Sequence, residues 1–396
     1  MGMIRHLYVD NFKALNDFEM EAKQFLVIVG NNMSGKSTVL QALDFLANVV
    51  KEDFHIILER RGWKVSDVKS QINKSNKLTV RCKLEFWINE KSVNVLWELQ
   101  INAYTQKNVM ELHSEKVLLL SEDGEIELLK YTASKGCEIR GGQKAELLKV
   151  HPQSSVLKVM DFGDMPVLNA LKQFFVNSDS FELLSPEKMR LSSRGEVSTI
   201  GNAGEKLPAF VKSMTQEQKA RFNRKIKSIF GDRICDVDAR TKGKPGWTQL
   251  TAKEQYRDNV MTIESKNMSD GTLRLLAFLA ICEIDKSDMM MLLDEIENGI
   301  NIDYAEKLLN ILKKECAEKR KQLIVTTHSP MFLDYVPKEN IQYMYRDPEK
   351  GNSRCSLLSE SKELKEKMDY LYPGELMMNL SNNEIISILL SEQAKI

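Results

Sequence analysis

A chain of 396 residues, 42% hydrophobic and 28% charged, can bury a substantial core and is long enough for one large domain or two to three modest ones. Its 56 basic residues balance 56 acidic ones, which excludes a global positive field of the kind that draws proteins onto nucleic acid. No apolar run reaches the roughly 18 residues of a membrane span. Six cysteines (Cys82, Cys137, Cys235, Cys282, Cys316 and Cys355) form no C-x-x-C pair, and no signal-peptide apolar stretch opens the chain, so a reducing cytoplasm and no membrane partner are expected.

Near the start, KQFLVIVG (Lys23 to Gly30) is a short continuous apolar run closed by glycine, the pattern of a strand buried on both faces of a parallel sheet. In the segment that follows, Val39, Leu40, Leu43, Leu46 and Val50 fall at helical spacing. Between the two, Gly30, Asn31, Asn32, Met33, Ser34, Gly35, Lys36 and Ser37 fit G-x-x-x-x-G-K-[ST] in full, in the strand, loop and helix setting that a phosphate-binding loop requires. Glycine lets the backbone turn tightly enough to aim successive N–H groups at phosphate oxygens, and the helix N-terminus adds its dipole. The chemistry assigns Lys36 to the β and γ phosphates, the Ser37 hydroxyl to Mg²⁺ and Thr38 to the α phosphate.

Beyond the helix, Leu78, Val80, Cys82, Leu84, Phe86 and Ile88 alternate strictly, as do Val93, Val95, Trp97, Leu99 and Ile101. This predicts a hairpin turning near Asn89 to Lys91, and Asp123-Gly124 predicts another, so an antiparallel meander is expected. From about 165 to 230 apolar residues recur three and four apart, which predicts a helical lobe inserted into the sheet domain. Residues 239–259 read as loops around a weak strand. Two basic runs, Arg221 to Arg233 and Lys313 to Gln322, read first as solvated helix faces.

The C-terminal third returns to an α/β rhythm: helix SDGTLRLLAFLAICEI, buried strand DMMMLLDE, helix NIDYAEKLLNILKKECAE, buried strand QLIVTTHSP. That alternation implies right-handed crossovers in a mostly parallel sheet. Met289 to Met291 read as core packing. Asp294 and Glu295 stand at a strand's carboxyl end, where open α/β sheets place ligand sites. A nucleoside triphosphate needs a carboxylate for its metal and a group that orients water, so Asp294 is assigned to Mg²⁺ and Glu295 to the attacking water. His328 emerges at the end of the next strand and is assigned as a γ-phosphate sensor. Ser269-Asp270-Gly271 opens the preceding helix. It is either a second anion site, acting in trans because one phosphate loop already satisfies one triphosphate, or a plain N-cap by Ser269.

Taken in order, LYVDNFKAL (Leu7 to Leu15), GNNMSGKST, SDGT, LLDEIENGI and TTHSP resemble the motif set of ABC-type ATPases in the form used by the SMC, RecF and OLD-related branch. More narrowly, the chain is similar to the small standalone AAA-type ATPases of that branch found beside anti-phage effectors. The likeness covers most of the chain and is weak over 135–165 and 239–262. It implies an α/β P-loop NTPase fold, an ABC-type head with a mostly parallel core sheet, an antiparallel β meander and an inserted, largely helical lobe. The implied division is 1–135 and 263–345 for the head, 136–262 for the lobe and 346–396 for a tail.

The resemblance further implies that two heads pair head to tail, each ATP lying between one protomer's Walker loop and the other's signature. Ser269 and Gly271 would contact the partner's γ phosphate, Asn298 would lie in the D-loop that crosses the dimer, and Asn11 to Lys13 would approach nucleotide. Many family members carry histidine and proline after the ENG segment where this chain reads INI, and Asp270 stands where many transport ATPases have glycine. No Q-loop glutamine is evident; Gln71 is a guess. The short segment after Pro330 holds no acidic triad, so the chain is not expected to cut nucleic acid itself. The leading expectation is a slow ATPase that regulates a separate effector, a nuclease or toxin, in phage defence. The alternatives are a RecF-like factor that clamps DNA and a nucleotide-dependent scaffold with little turnover.

Overall fold

The computed structural model describes residues 2–139, 151–182, 184–241, 243 and 245–393. Its strands along the chain are β1 (Gly2–Asp10), β2 (Phe18–Glu21), β3 (Phe25–Gly30), β4 (Lys77–Ile88), β5 (Lys91–Tyr104), β6 (Val109–Ser121), β7 (Gly124–Thr132) and β8 (Gly136–Ile139). There follow β9 (Asp179–Ser180), β10 (Ser193–Arg194), β11 (Ile234–Thr241), β12 (Trp247–Tyr256), β13 (Asn259–Glu264), β14 (Met289–Leu293), β15 (Lys321–Thr327), β16 (Ile341–Arg346) and β17 (Ser353–Leu357). The longer helices are α1 (Lys36–Val49), α2 (Phe54–Arg61), α3 (Pro166–Asn177), α4 (Gln216–Phe230), α5 (Asp270–Cys282) and α6 (Ala305–Glu318).

One sheet runs β17-β16-β3-β15-β14-β9, with every neighbouring pair parallel except β16 and β17. Alternate residues of a strand face opposite ways, and both faces of this sheet are covered. Leu26 and Ile28 of β3 join a core with α1, α3 and the antiparallel sheet, whereas Val27 and Val29 join a second core with α5 and α6. Each fully buried Val, Leu, Ile or Phe contributes about 1.5–3 kcal/mol. A loop strung between buried β3 and buried α1 is therefore anchored at both ends. Met289, Met290 and Met291 divide between the same two cores.

The second sheet is an antiparallel meander, β2-β1-β4-β5-β6-β7-β8. Asn89 and Glu90 both have positive φ (47° and 63°) at the turn between β4 and β5, the backbone of a two-residue turn whose twist matches its strands. Inside this sheet Glu115 is fully buried and accepts from Trp97 Nε1 (3.1 Å), Ser155 Oγ (2.9 Å) and Val156 N (2.6 Å). Burial pushes its carboxyl upward while those donors pull it down. The carboxylate thereby fastens the chain entering α3 to β6.

The 136–262 segment corrects two expectations. Among its described residues it is mixed rather than largely helical: β10, β12 and β11 form a further antiparallel sheet, extended by β13 on β12. It also contributes to the other sheets, because β8 completes the meander and β9 lies parallel to β14. The stretch 239–259, read as loops around a weak strand, is mostly the β11–β12–β13 meander. Its pattern was hidden because Thr248, Gln249 and Thr251 are polar yet buried beside Leu250 and Ala252. The basic run of α4 is partly neutralised: Arg221 Nε lies 2.9 Å from Glu283, and Lys225 Nζ lies 2.6 Å from Glu315. Among the described residues no helix is long and apolar enough to cross a membrane.

Candidate active site

Parallel pairing sets the carboxyl ends of β3, β15, β14 and β9 side by side. Gly30 ends β3 in register with Met344 of β16, and the loop of residues 31–35 turns above the sheet edge. Gly35 has φ 106°, and a Cβ there would lie 2.5 Å from Ser353 Oγ. Only glycine accepts both the left-handed backbone and the close approach. The loop is held from outside, because Ser353 Oγ donates to Ser34 O (2.7 Å) and Arg346 Nε donates to Met33 O (3.0 Å). Asn31, Asn32 and Met33 are exposed at its apex, and Ser37 and Thr38 are half-buried in the first turn of α1.

Lys36 is buried, and its Nζ donates to Gly30 O (2.8 Å) and Asn31 O (2.9 Å). Burial pulls its pKa below the usual lysine range, against the opposing fields of Asp294, Glu295 and Glu297. Beside it the Ser34 hydroxyl is buried without a hydrogen-bond partner. An ammonium satisfied by loop carbonyls and an orphaned hydroxyl fit a loop built to receive anionic oxygens. The hydroxyl of Ser37 and the carboxylate of Asp294 are the hard oxygen donors that Mg²⁺ prefers.

The acidic pair follows β14. Thr326 Oγ1 of β15 donates to Asp294 Oδ1 and accepts from Glu295 N at 2.9 Å, while Ile296 N donates to Thr326 O at 3.3 Å. Glu295 has φ 46°, a left-handed conformation of the strained kind that clusters at functional sites. Asn298 Nδ2 lies 3.4 Å from Glu295 Oε2. His328 begins the loop after β15, exposed on one side and held by Glu297 on the other.

Residues that sequence reasoning missed gather at the same edge. Phe181 N donates to Leu292 O (2.8 Å), and the β9–β14 register, continued, sets Glu182 opposite Asp294. Glu182 pairs with Arg61, which also pairs with Asp44, all three side chains being at most 6% exposed. One guanidinium serves two buried carboxylates, and burial pushes Glu182 up to about 7, with Asp44 and Asp294 adding to the rise. The sequence signal for Glu182 was its place at the end of a strand, but β9 is two residues long and has no periodicity to find.

Around Thr38 opens a cavity of about 390 Å³ lined by Lys13, Ala14, Thr38, Asp67, Gln71 and Arg346 among others. Lys13 Nζ donates to Gln41 Oε1 (2.7 Å), lies 3.6 Å from the centroid of the Trp63 ring and is lowered by burial to about 8. Of the opening motif, Lys13 reaches this cavity and Asn11 does not: Asn11 is buried, donating to Ser75 O and Lys77 O. Gln71 lines the cavity beside Thr38.

Ser269 caps α5, accepting from Thr272 N at 3.2 Å, and remains exposed. The neighbouring Gly271 packs against Gly299 of the Asn298 loop. Asp270 pairs with Arg190, and both Asp270 and Glu295 act on half-buried Arg274, which links the signature to the acidic loop. Among the described residues no hydrogen bond or ion pair joins residues 269–271 to residues 30–38.

The geometry has counterparts in known proteins. Among solved structures the fold is similar to an Smc head bound to the C-winged helix domain of ScpA, with TM-score 0.54 and 16% identity, covering 91% of this chain and 99% of that one. An SMC head domain from Thermotoga maritima aligns with TM-score 0.46 and 14% identity over 89% and 98% of the two chains. Identities at this level show the fold alone, and the first of these likenesses gives it as that of an Smc head. Comparison with curated proteins gave no match. Residues 25–334, from the first buried strand past His328, match the family described as "AAA domain, putative AbiEii toxin, Type IV TA system", and the chain belongs to this AAA-domain family.

Proposed function

We propose that the chain binds and hydrolyses ATP with Mg²⁺, pairs head to tail with a second copy when ATP is bound, and through that pairing regulates a separate effector in anti-phage defence. The observation that carries this reading is the split of the motifs over the surface. Lys36, Asp294, Glu295 and His328 share one sheet edge, while Ser269 and Gly271 make no bond to the loop of their own chain.

In this reading Lys36 exchanges its carbonyl partners for β and γ phosphate oxygens, and the backbone N–H groups of the 31–35 loop cradle the phosphates. Ser37 and Asp294 hold Mg²⁺, which would neutralise charge on the phosphates. Glu295 accepts a hydrogen bond from the attacking water and so orients it, with Asn298 steadying its carboxylate. His328 meets the γ phosphate from the β15 side, and Ser269 with the N-terminus of α5 closes the site from the second copy. The cavity beside Thr38 and Lys13 has the size and position for the base and ribose.

The effector role draws support from the family description, which names a toxin system, and from the Smc head solved with part of a separate protein, ScpA. The test is the solution mass of a Glu295→Gln variant with and without Mg-ATP. A doubled mass that needs ATP and is lost with Ser269→Arg is expected. A mass unchanged by ATP would overturn the head-to-tail reading.

A further inference from the structure

The His328 side chain is 51% exposed, yet one side of its ring is committed. Glu297 Oε1 lies 2.8 Å from the His328 backbone N and 3.0 Å from its Nδ1. The backbone N donates to it, and because a carboxylate only accepts, a bond from the ring requires the proton on Nδ1. The Glu297 side chain is itself only 13% exposed, and its Oε2 is buried without a hydrogen-bond partner. The hydrogen bond from the His328 backbone N and the close Nδ1 contact thus stand against the cost of its burial. The loop beneath is fixed, with Ile300 N donating to Glu297 O (2.9 Å) and Ile296 N to Thr326 O (3.3 Å). A free neutral imidazole in water favours the opposite tautomer, with the proton on Nε2, and it is the partner of one nitrogen that decides the state of the other.

We propose that Glu297 is the positioning residue for His328: it locks the ring with Nδ1–H turned inward and makes Nε2 the atom presented to the nucleotide. This rests on reading His328 as a phosphate contact, and it adds how that contact is set. With Nδ1 turned to Glu297, Nε2 is the ring atom left to face a phosphate oxygen, and it can donate to one only when it carries a proton of its own. The arrangement also joins the two loops. His328 follows β15 and Glu297 follows β14, so a pull on the imidazole is transmitted to the segment holding Glu295 and Asn298.

The test is nitrogen NMR of the full chain labelled at its five histidines, with the His328 signals assigned by their loss in His328→Gln. Without nucleotide, the wild type is expected to show protonated Nδ1 and bare Nε2. Glu297→Ala should move the proton to Nε2, and Glu297→Gln, which keeps the volume and an acceptor oxygen, should leave it on Nδ1. A wild-type ring protonated on Nε2, or one that ignores Glu297→Ala, would overturn the inference. Mg-ATP added to the Glu295→Gln protein should shift Nε2 while Nδ1 stays protonated. Unmoved signals with ATP measurably bound would overturn the phosphate half of the inference. Absence of bound ATP would instead overturn the ATPase reading, and the nucleotide-free spectra judge the Glu297–His328 pair separately.

Discussion

Gly271 and Gly299 touch backbone to backbone: a Cβ on Gly271 would overlap the carbonyl oxygen of Gly299. The first turn of α5 and the loop carrying Asn298 are therefore one surface. Because Gly271 cannot gain even a methyl group without moving that loop, Gly271→Ala should lower stability by about 1–3 kcal/mol. ATP-dependent pairing should be lost while Mg-ATP binding to the separate chain persists. Sedimentation with and without Mg-ATP distinguishes this from general misfolding, and pairing at the wild-type level would remove the surface from the interface.

Lys36 illustrates a residue whose burial serves a ligand rather than the fold. Its ammonium is lowered by burial and bonded to carbonyls of its own loop, so Lys36→Met should change nucleotide-free stability by less than about 1 kcal/mol. Saturating ligand stabilises a binding-competent fold by about 2.7 kcal/mol at a hundredfold excess over Kd. Urea denaturation should show that increment in the wild type with Mg-ATP and none in Lys36→Met.

Ala14 lines the cavity beside Thr38, and a phenylalanine there would fill space otherwise open to a base. Ala14→Phe should weaken ATP binding at least tenfold while leaving affinity for inorganic triphosphate within about threefold, a loss of roughly 1.4 kcal/mol or more confined to the base. Calorimetric titration with both ligands reads the ratio. Equal loss for both would move the base elsewhere.

What could be read in advance follows the physics of burial. β3 and β14 were legible because every residue in them is buried and apolar, so each appears as an unbroken apolar run, and β15, buried throughout, still shows an apolar centre at Leu323 to Val325 before the loop that carries His328. The partners that hold those residues were not legible. Ser353 and Arg346 reach the Walker loop from more than 300 positions away, and Glu182 meets Asp294 only through the register of a two-residue strand. Glu297 lay inside a motif already singled out, but its bond to His328 depends on how two loops are aimed. Sequence periodicity encodes which face of an element is buried; it does not encode which neighbour a polar side chain finds.

Glu182 supplies the pH dependence. Its carboxyl is raised by burial from 4.5 to about 7, so the folded protein holds that proton more tightly than the unfolded chain does. The contribution to stability is full below about pH 4.5 and is lost as pH rises through about 7. Glu182→Gln stays neutral throughout and should match the wild type at low pH. Above the window it should be the more stable of the two, by at most about 3 kcal/mol. Urea midpoints of both proteins at pH 5 and pH 8 give the sign. A wild type that gains on the variant between those values would mean that Arg61, despite also serving Asp44, outweighs burial and keeps Glu182 ionised beside Asp294.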